Sequence, residues 1–207
     1  MSVEFLLSAA VTLFIVVDPL GLAPAFVALT DGLPPAARRQ VGFRATLIAV
    51  AVLVGAALVG DWLLSHLGIT LPAFRIAGGI LLFAVASEMV LDVRMERQSR
   101  TAEQAVEERV RHVAAFPLAI PLMAGPGALT AAILLAGQAA GDPARTALLL
   151  GVIVAVCGLC LAVFHFAGAI SRGLGITGNI VLARLFGVLL AALAVQYVID
   201  GAKAVWG

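Results

Sequence analysis

The sequence predicts an all-α membrane protein in which six transmembrane helices form two inverted three-helix repeats, with helices 1 and 4 interrupted mid-membrane. Three observations predict this fold: a very apolar composition, six long apolar runs, and motifs that recur in both halves. Hydrophobic residues make up 62% of the 207 residues and charged residues only 12%, and the mean hydropathy is +1.11. These values lie far outside those of soluble domains.

The composition also excludes several classes of protein. A net charge of +1 gives no basic footprint, so we expect no nucleic-acid partner. Cys157 and Cys160 lie one helical turn apart in an apolar run and are expected to pack as small residues rather than form a redox or metal pair. No nucleophile–base pair, metal-ligand cluster or phosphate-binding loop has usable spacing. We therefore expect no enzyme activity, no metal and no resident cofactor. Glu4 and the lack of a basic leader favour a retained first span over a cleaved signal peptide.

Six apolar runs are long enough to span a membrane, which takes about 20 residues. The first run is longer than a straight span requires, which leaves residues for an unwound centre or a tilt. The fourth carries no charge but several prolines and glycines. The predicted spans are Val3 to Thr30, Ala45 to Leu64, Leu71 to Leu91, Val113 to Gly141, Thr146 to Ala169 and Gly178 to Ile199.

One strongly polar segment separates the two halves. It is dense in Arg and Glu, and we expect residues 93–112 to form a solvated cytoplasmic connector between a first repeat, 1–92, and a second, 113–207. Nine of the thirteen Lys and Arg residues lie in the loops after spans one, three and five, whereas the opposite loops hold only Arg145 and Lys203. By the positive-inside rule, the basic loops are cytoplasmic and both termini face outward.

Motifs recur in the same order in the two halves. Pro19 and Pro24 of span one are matched by Pro121 and Pro126 of span four. The sequence Leu-Gly-Ile-Thr precedes span three at 67–70 and span six at 174–177, and Arg-x-x-Gly follows at 75–78 and 184–187. Because each repeat has three spans, the second copy must cross the membrane in the opposite direction. Inverted repeats with discontinuous helices are typical of secondary transporters, which bind substrate where the halves meet.

The segment from Asp18 to Pro24 combines a carboxylate with two prolines and a glycine, and it will break a helix. Non-helical backbone within the membrane is tolerated only where protein or a water-filled cavity satisfies it, so this segment and Pro121 to Gly127 are predicted to line a site. An ionised aspartate at this depth costs about 2.5–3.5 kcal/mol. Asp18 could therefore carry a coupling proton, bind a sodium ion, or cap the second half-helix.

Four stretches of the chain together resemble the MarC family of bacterial inner-membrane proteins. The similarity covers nearly the whole chain in the right order. It implies six spans, an inner-membrane location and, from the SnatA-like branch, export of small neutral amino acids. Antibiotic resistance is not carried over from the family name, and many members have no assigned substrate. The matching stretches are Phe14 to Pro24, Arg75 to Phe83, Ala119 to Thr130 and Arg184 to Leu190.

The motifs suggest how an amino acid could be held. A half-helix that starts after Gly21 would present free backbone N–H groups and a partial positive charge, and Gly125 to Gly127 would do the same from the other half. The two ends could share a carboxylate, while Asp18 accepts the ammonium group. The alternative is that the breaks only shape helix packing. The predicted substrate-binding residues are Asp18, Pro19, Gly21, Pro24, Gly125, Pro126, Gly127 and Thr130, with Arg75 and Arg184 as structural support at the interface or on free carbonyls.

The sequence thus predicts a secondary transporter that exports small neutral amino acids such as alanine, serine or threonine by alternating access. H⁺ or Na⁺ is the candidate coupling ion. Two alternatives stay open: a passive channel for small solutes, and a membrane scaffold without transport. The lipid bilayer is the expected surrounding, and assembly as a homo-oligomer is left open.

Overall fold

The computed structural model describes residues 2–94, 96–98, 100–101 and 114–206. It is 89% helical and has no strand in these ranges, so the prediction of an all-α membrane protein is confirmed. Eight helices lie entirely within the described residues: α1 Ser2–Val17, α2 Leu22–Leu29, α3 Pro35–His66, α4 Leu71–Val90, α5 Ala114–Met123, α6 Pro126–Ala139, α7 Pro143–His165 and α8 Ala167–Trp206. Helical residues between 93 and 101 continue the chain after α4.

The helices can account for six spans by length and composition. Helices α3, α4, α7 and the Thr177–Trp206 part of α8 each suffice alone. Two bent pairs supply the others: α1 and α2 meet at 43°, and α5 and α6 meet at 59°. These pairs are the first and fourth runs of the sequence, the two that carry paired prolines.

Several element boundaries differ from those predicted, and at two of them a proline begins the helix. Helix α3 begins at Pro35, ten residues before the expected start of span two, because Pro34 is extended and Pro35 occupies the first helical position, where proline loses no hydrogen bond. The basic residues of this linker therefore lie on a helix that runs about 15 Å beyond the predicted span. Helix α7 begins at Pro143, where Asp142 Oδ1 accepts the N–H groups of Ala144 and Arg145 at 3.0 and 3.2 Å.

The recurring Leu-Gly-Ile-Thr motif adopts the same backbone feature in both places. Gly68 and Gly175 have φ of +69° and +60°, a region that favours glycine. Gly68 ends α3 before α4, and Gly175 interrupts α8 before its long straight part. The sequence repeat thus corresponds to a glycine with positive φ ahead of the third span of each half.

Helix α6 lies at the centre of the molecule and the long helices lie outside it. Of the α6 residues only Pro126 is exposed. By contrast, α3, α4 and α8 expose many large apolar side chains, among them Leu47, Leu58, Phe83 and Val188. A surface of this kind suits hydrocarbon rather than water. The arrangement therefore buries a broken span inside a ring of lipid-facing helices.

Helices that occupy equivalent places in the two halves make equivalent contacts. Helix α4 packs against α6, and its counterpart α8 packs against α2. Helix α3 packs against α5, and its counterpart α7 packs against α1. The most extensive contact, between α4 and α8, pairs the two third spans with each other. The division into repeats at 92 and 113 stays a prediction, because Val113 and most of the connector lie outside the described residues.

The α4–α8 contact depends on glycines that allow the two backbones to approach. A Cβ atom on Gly79 would lie 2.6 Å from the Ala194 carbonyl oxygen and 3.1 Å from the Val198 backbone nitrogen. Backbone atoms cannot move aside as the end of a flexible side chain can. Small residues at such positions are the usual basis of close helix packing in membranes.

We expect Gly79→Ala to destabilise the protein by about 1–3 kcal/mol, because the added methyl overpacks the interface. The matched control is Gly55→Ala in α3, where an added Cβ has no atom within 4 Å. Thermal unfolding in detergent should show a lower midpoint for Gly79→Ala and an unchanged or higher one for Gly55→Ala. Equal midpoints for both variants would contradict close packing at Gly79.

Candidate functional site

The first break is organised by Asp18, which is 5% exposed and has a φ of +56°. Its N–H donates to the Phe14 carbonyl oxygen at 2.9 Å and completes α1. Its own carbonyl oxygen accepts the Leu22 N–H at 3.2 Å, and its Oδ1 accepts the Gly21 N–H at 3.1 Å. Aspartate is one of the few residues that adopts this left-handed conformation readily. Asp18 therefore ends one half-helix and caps the next.

This turn leaves the start of α2 without free donors. The N–H groups of Gly21 and Leu22 bond to Asp18, and the Ala23 N–H donates to the Leu20 carbonyl oxygen at 3.1 Å. The prediction that the half-helix after Gly21 presents free N–H groups is therefore wrong. The reason is local, since the aspartate that breaks the helix also satisfies the donors that the break would expose.

Arg94 enters the first break from the connector. Its side chain is 8% exposed, and Nη2 donates to the Val16 carbonyl oxygen at 2.6 Å across 78 residues of sequence. Nη1 lies 3.1 Å from Met89 Sδ. Val16 is in the last turn of α1, where carbonyl groups have no intrahelical partner. Arg94 thus caps the C-terminal end of α1 and places a positive charge close enough to act on Asp18.

Residues 93–112 were expected to form a solvated connector, and Val93, Glu96, Arg97 and Arg100 are exposed. Arg94 and Gln98 are buried and depart from that expectation. The physical reason is the Val16 carbonyl group, which has no intrahelical partner and which the guanidinium satisfies. The sequence predicted arginines on free carbonyl groups at the breaks, but at Arg75 and Arg184. Only the position of Arg94 two residues after Asp92, just beyond the end of α4, could have suggested it.

The second break is shaped by prolines and close-packed glycines. Phe116 and Ile120 in α5 are extended, as expected of residues that precede proline. Gly125 is also extended and begins α6, with Pro126 in its first position and no side-chain cap. A Cβ on Gly125 would lie 2.5 Å from the Pro121 carbonyl oxygen. Glycine is therefore required for the chain to turn here.

The first break, in α1 and α2, lies next to the second break, in α5 and α6. A Cβ on Gly127 would lie 3.2 Å from Val16 Cγ1 and 3.2 Å from Val85 Cγ2. Among the described residues, no group bonds to the N–H groups of Gly127 and Ala128 at the start of α6. In contrast to α2, helix α6 thus keeps a free N-terminal end, which carries a partial positive charge and favours anions.

A cavity of about 360 Å³ opens beside this end of α6. Arg94, Arg97 and Glu88 supply its charged groups, and Arg97 pairs with Glu88 Oε1 at 2.7 Å. Glu88 Oε2 is buried with no hydrogen-bond partner among the described residues. The wall also includes Val16, Leu81, Ala84, Val85, Gln98, Thr101, Leu122, Met123, Gly125, Pro126, Gly127 and Ala128.

A second, much smaller cavity of about 10 Å³ lies on the other side of Arg94. Asp18, Gly21, Asp92, Gln98 and Asn179 line it with Arg94. This space is close to the minimum for a single water molecule. Since Arg94 and Gln98 border both cavities, they form the partition between Asp18 and the larger cavity.

The predicted substrate-binding residues therefore do not line one common cavity. Gly125, Pro126 and Gly127 line the larger cavity, and Asp18 and Gly21 line the smaller one. Three others, Pro19, Pro24 and Thr130, line neither, and the Thr130 methyl faces Gly78 of α4.

The two arginines predicted as structural support lie in unlike surroundings. Arg75 is half-buried near Tyr197, and its Nε is buried with no hydrogen-bond partner among the described residues. Arg184 is exposed. Their equivalent positions in the two repeats therefore do not give them equivalent environments.

The fold and this site together define a multi-pass helical membrane protein in which two broken spans meet at a charged internal cavity. The chain belongs to the MarC family: a sequence model described as "MarC family integral membrane protein" matches residues 3–206. The resemblance found in the sequence is confirmed.

Curated relatives agree with this assignment over nearly their whole length. A UPF0056 membrane protein of Archaeoglobus fulgidus is 37% identical over 96% of this chain and 92% of its own. YhcE of Escherichia coli is 33% identical over 94% and 90%, and YvbG of Bacillus subtilis is 30% identical over 100% and 98%. Both are named UPF0056 membrane proteins. No solved structure matches the chain.

The proximity of Asp18 and Arg94 predicts an energetic coupling between them. Asp18→Asn and Arg94→Gln should each destabilise the protein, because each leaves a buried charge less compensated. The double variant should lose less than the sum, with a coupling of about 0.5–3 kcal/mol in the unfolding free energy.

The control for this cycle combines Asp18→Asn with Arg100→Gln. Arg100 is exposed and pairs with Glu96 at 2.6 Å, away from both cavities. That pair of substitutions should be additive within about 0.5 kcal/mol. Additivity of the Asp18 and Arg94 substitutions as well would show that the two charges do not interact.

Proposed function

We propose that this protein is a secondary transporter that exports small neutral amino acids by alternating access. The observation that carries the proposal is the cavity of about 360 Å³ beside the free end of α6, where the two broken spans meet. Cavities of about 300–1,000 Å³ are usual for small-molecule ligands. Discontinuous helices that meet at an internal cavity are the usual setting of a transporter's substrate site.

The charges around the cavity suit a zwitterion. The N–H groups of Gly127 and Ala128 at the start of α6 and the guanidinium of Arg94 would hold a carboxylate. Glu88 Oε2, which is buried and unpartnered among the described residues, would accept the ammonium group. A site with groups for both ends favours amino acids over simple anions or cations. The apolar wall at Val85 and Leu122 leaves room for a short side chain.

This assignment changes the role proposed for Asp18. Asp18 lies behind Arg94 and in contact with the smaller cavity, so Glu88 is better placed than Asp18 for the ammonium group. A carboxylate next to an arginine that also borders the substrate cavity is well placed to couple transport to an ion. Movement of Arg94 towards a substrate carboxylate would weaken its hold on Asp18 and favour uptake of a proton there. Family resemblance supports the direction of transport, and the positive-inside rule supports outward-facing termini.

The role of Glu88 predicts that Glu88→Gln weakens transport of labelled alanine in proteoliposomes. A charged hydrogen bond contributes about 1.5–3 kcal/mol, so the KM should rise by about ten- to a hundredfold. The control is Glu96→Gln, which makes the same chemical change on an exposed residue paired only with Arg100. An equal KM for both variants would remove Glu88 from the substrate site.

Saturable counterflow of alanine, serine or threonine in the same vesicles separates a transporter from a passive channel. If neither counterflow nor substrate-induced thermal stabilisation is found, a scaffold without transport is the better description.

The proposed role of Asp18 predicts a loss of ion coupling rather than a loss of alanine binding. Asp18→Asn should abolish uphill, gradient-driven flux while the protein keeps its fold and binds alanine. The measurement is alanine flux in proteoliposomes with and without an imposed proton or sodium gradient, alongside equilibrium binding in detergent. Flux that still responds to the gradient in this variant would exclude Asp18 as the coupling group.

A further inference from the structure

A large cavity lies away from the two breaks, between the start of α3 and the end of α7. Its volume is about 890 Å³. Its lining contains three arginines and a histidine but no acidic residue: Arg38, Arg39, Arg172 and His165. A pocket with this composition attracts anions and does not neutralise its own charge.

The guanidinium groups of the three arginines are not neutralised by acidic side chains in the described part of the chain. Arg38 is half-buried, and its guanidinium lies 5.2 Å from the centre of the Phe26 ring, a cation–π contact that fixes the side chain. Its Nη2 is buried without a hydrogen-bond partner among the described residues. None of the ion pairs found in these residues includes Arg38, Arg39 or Arg172. Pro35 also lines the pocket, so the positive end of the 32-residue α3 adds to its potential.

The mouth of the pocket is apolar. Phe43 and Phe166 line it and are 58% and 60% exposed. On a membrane protein, exposed apolar rings suit contact with hydrocarbon and arginine side chains extend towards the headgroups, so the two together suit the boundary between these layers. The floor is closed by Phe26 and Phe164, whose rings stack at 4.4 Å. The pocket is thus closed towards the interior and open at its apolar rim.

We propose that this pocket, which we call the α3–α7 pocket, binds the phosphate headgroup of an anionic phospholipid while the acyl chains lie against Phe43 and Phe166. A soluble phosphate would need the arginines but not the apolar rim, so the combination favours a lipid. Arginine is well suited to phosphate because its planar fork forms two parallel hydrogen bonds. Basic pockets between transmembrane helices are a known form of lipid recognition. This inference is independent of the transported solute.

The test is lipid binding by the purified full chain in detergent, followed by native mass spectrometry and thermal unfolding. Phosphatidylglycerol should bind and raise the unfolding midpoint, while phosphatidylcholine should do so at least tenfold more weakly. Inorganic phosphate and glycerol phosphate form a second arm and should give no stabilisation at matched concentration. Equal effects of the two lipids, or equal stabilisation by free phosphate, would overturn the proposal.

Variants connect the binding to this pocket. Arg39→Gln combined with Arg172→Gln should weaken phosphatidylglycerol binding at least tenfold, and both residues are exposed, so the fold should be kept. The matched control is Arg44→Gln. Arg44 is exposed and lies on the same helix as Arg39, but it does not line the pocket. Unchanged binding in the double variant, or an equal loss in Arg44→Gln, would place the lipid elsewhere.

Discussion

The constraint on which this structure depends is the need to satisfy backbone groups where a helix is broken inside a membrane. Each unsatisfied N–H or C=O in hydrocarbon costs several kcal/mol, so a break exists only if other groups replace the lost bonds. At the first break, the Asp18 carboxylate accepts the Gly21 N–H, and Arg94 donates to the Val16 carbonyl. These two side chains replace backbone hydrogen bonds that the break removes, and they line the same small cavity. The break is thus a self-contained polar unit within an apolar protein.

At the second break, backbone N–H groups are removed or left free rather than bonded to charged side chains. Prolines at 121 and 126 remove two donors outright, and glycines at 125 and 127 let the chain pass close to Val16 and Val85. The remaining donors at the start of α6 face a cavity with charged walls. One break is therefore closed by protein groups and the other is open to a ligand. The two halves use the same proline spacing for unlike purposes.

The sequence predicted the helical fold, the number of apolar runs and the places where two of them bend, because proline, glycine and hydropathy act locally. It also predicted that both breaks contribute to one region, and Gly127 does approach Val16. It did not predict Arg94 or Glu88. Both lie at the end of a span in a charged stretch, where solvation is the ordinary expectation. Only the three-dimensional approach of that stretch to α1 and α6 distinguishes Arg94 from the exposed Arg97 and Arg100 nearby. The early start of α3 was missed because its first turns carry the arginines that marked it as a loop.

Arg94 belongs to a segment that exists only once, since a chain of two repeats has a single connector between them. Among the described residues, no arginine donates to a carbonyl group at the second break as Arg94 does at the first. The two conformations that would result from exchanging the roles of the two halves therefore differ in energy. A conformation with the first break sealed and its symmetry-related counterpart differ by the hydrogen bond from Arg94 to the Val16 carbonyl oxygen. If the halves exchange roles during the proposed transport cycle, the connector would therefore favour one of the two conformations, which two separate three-helix chains would not do.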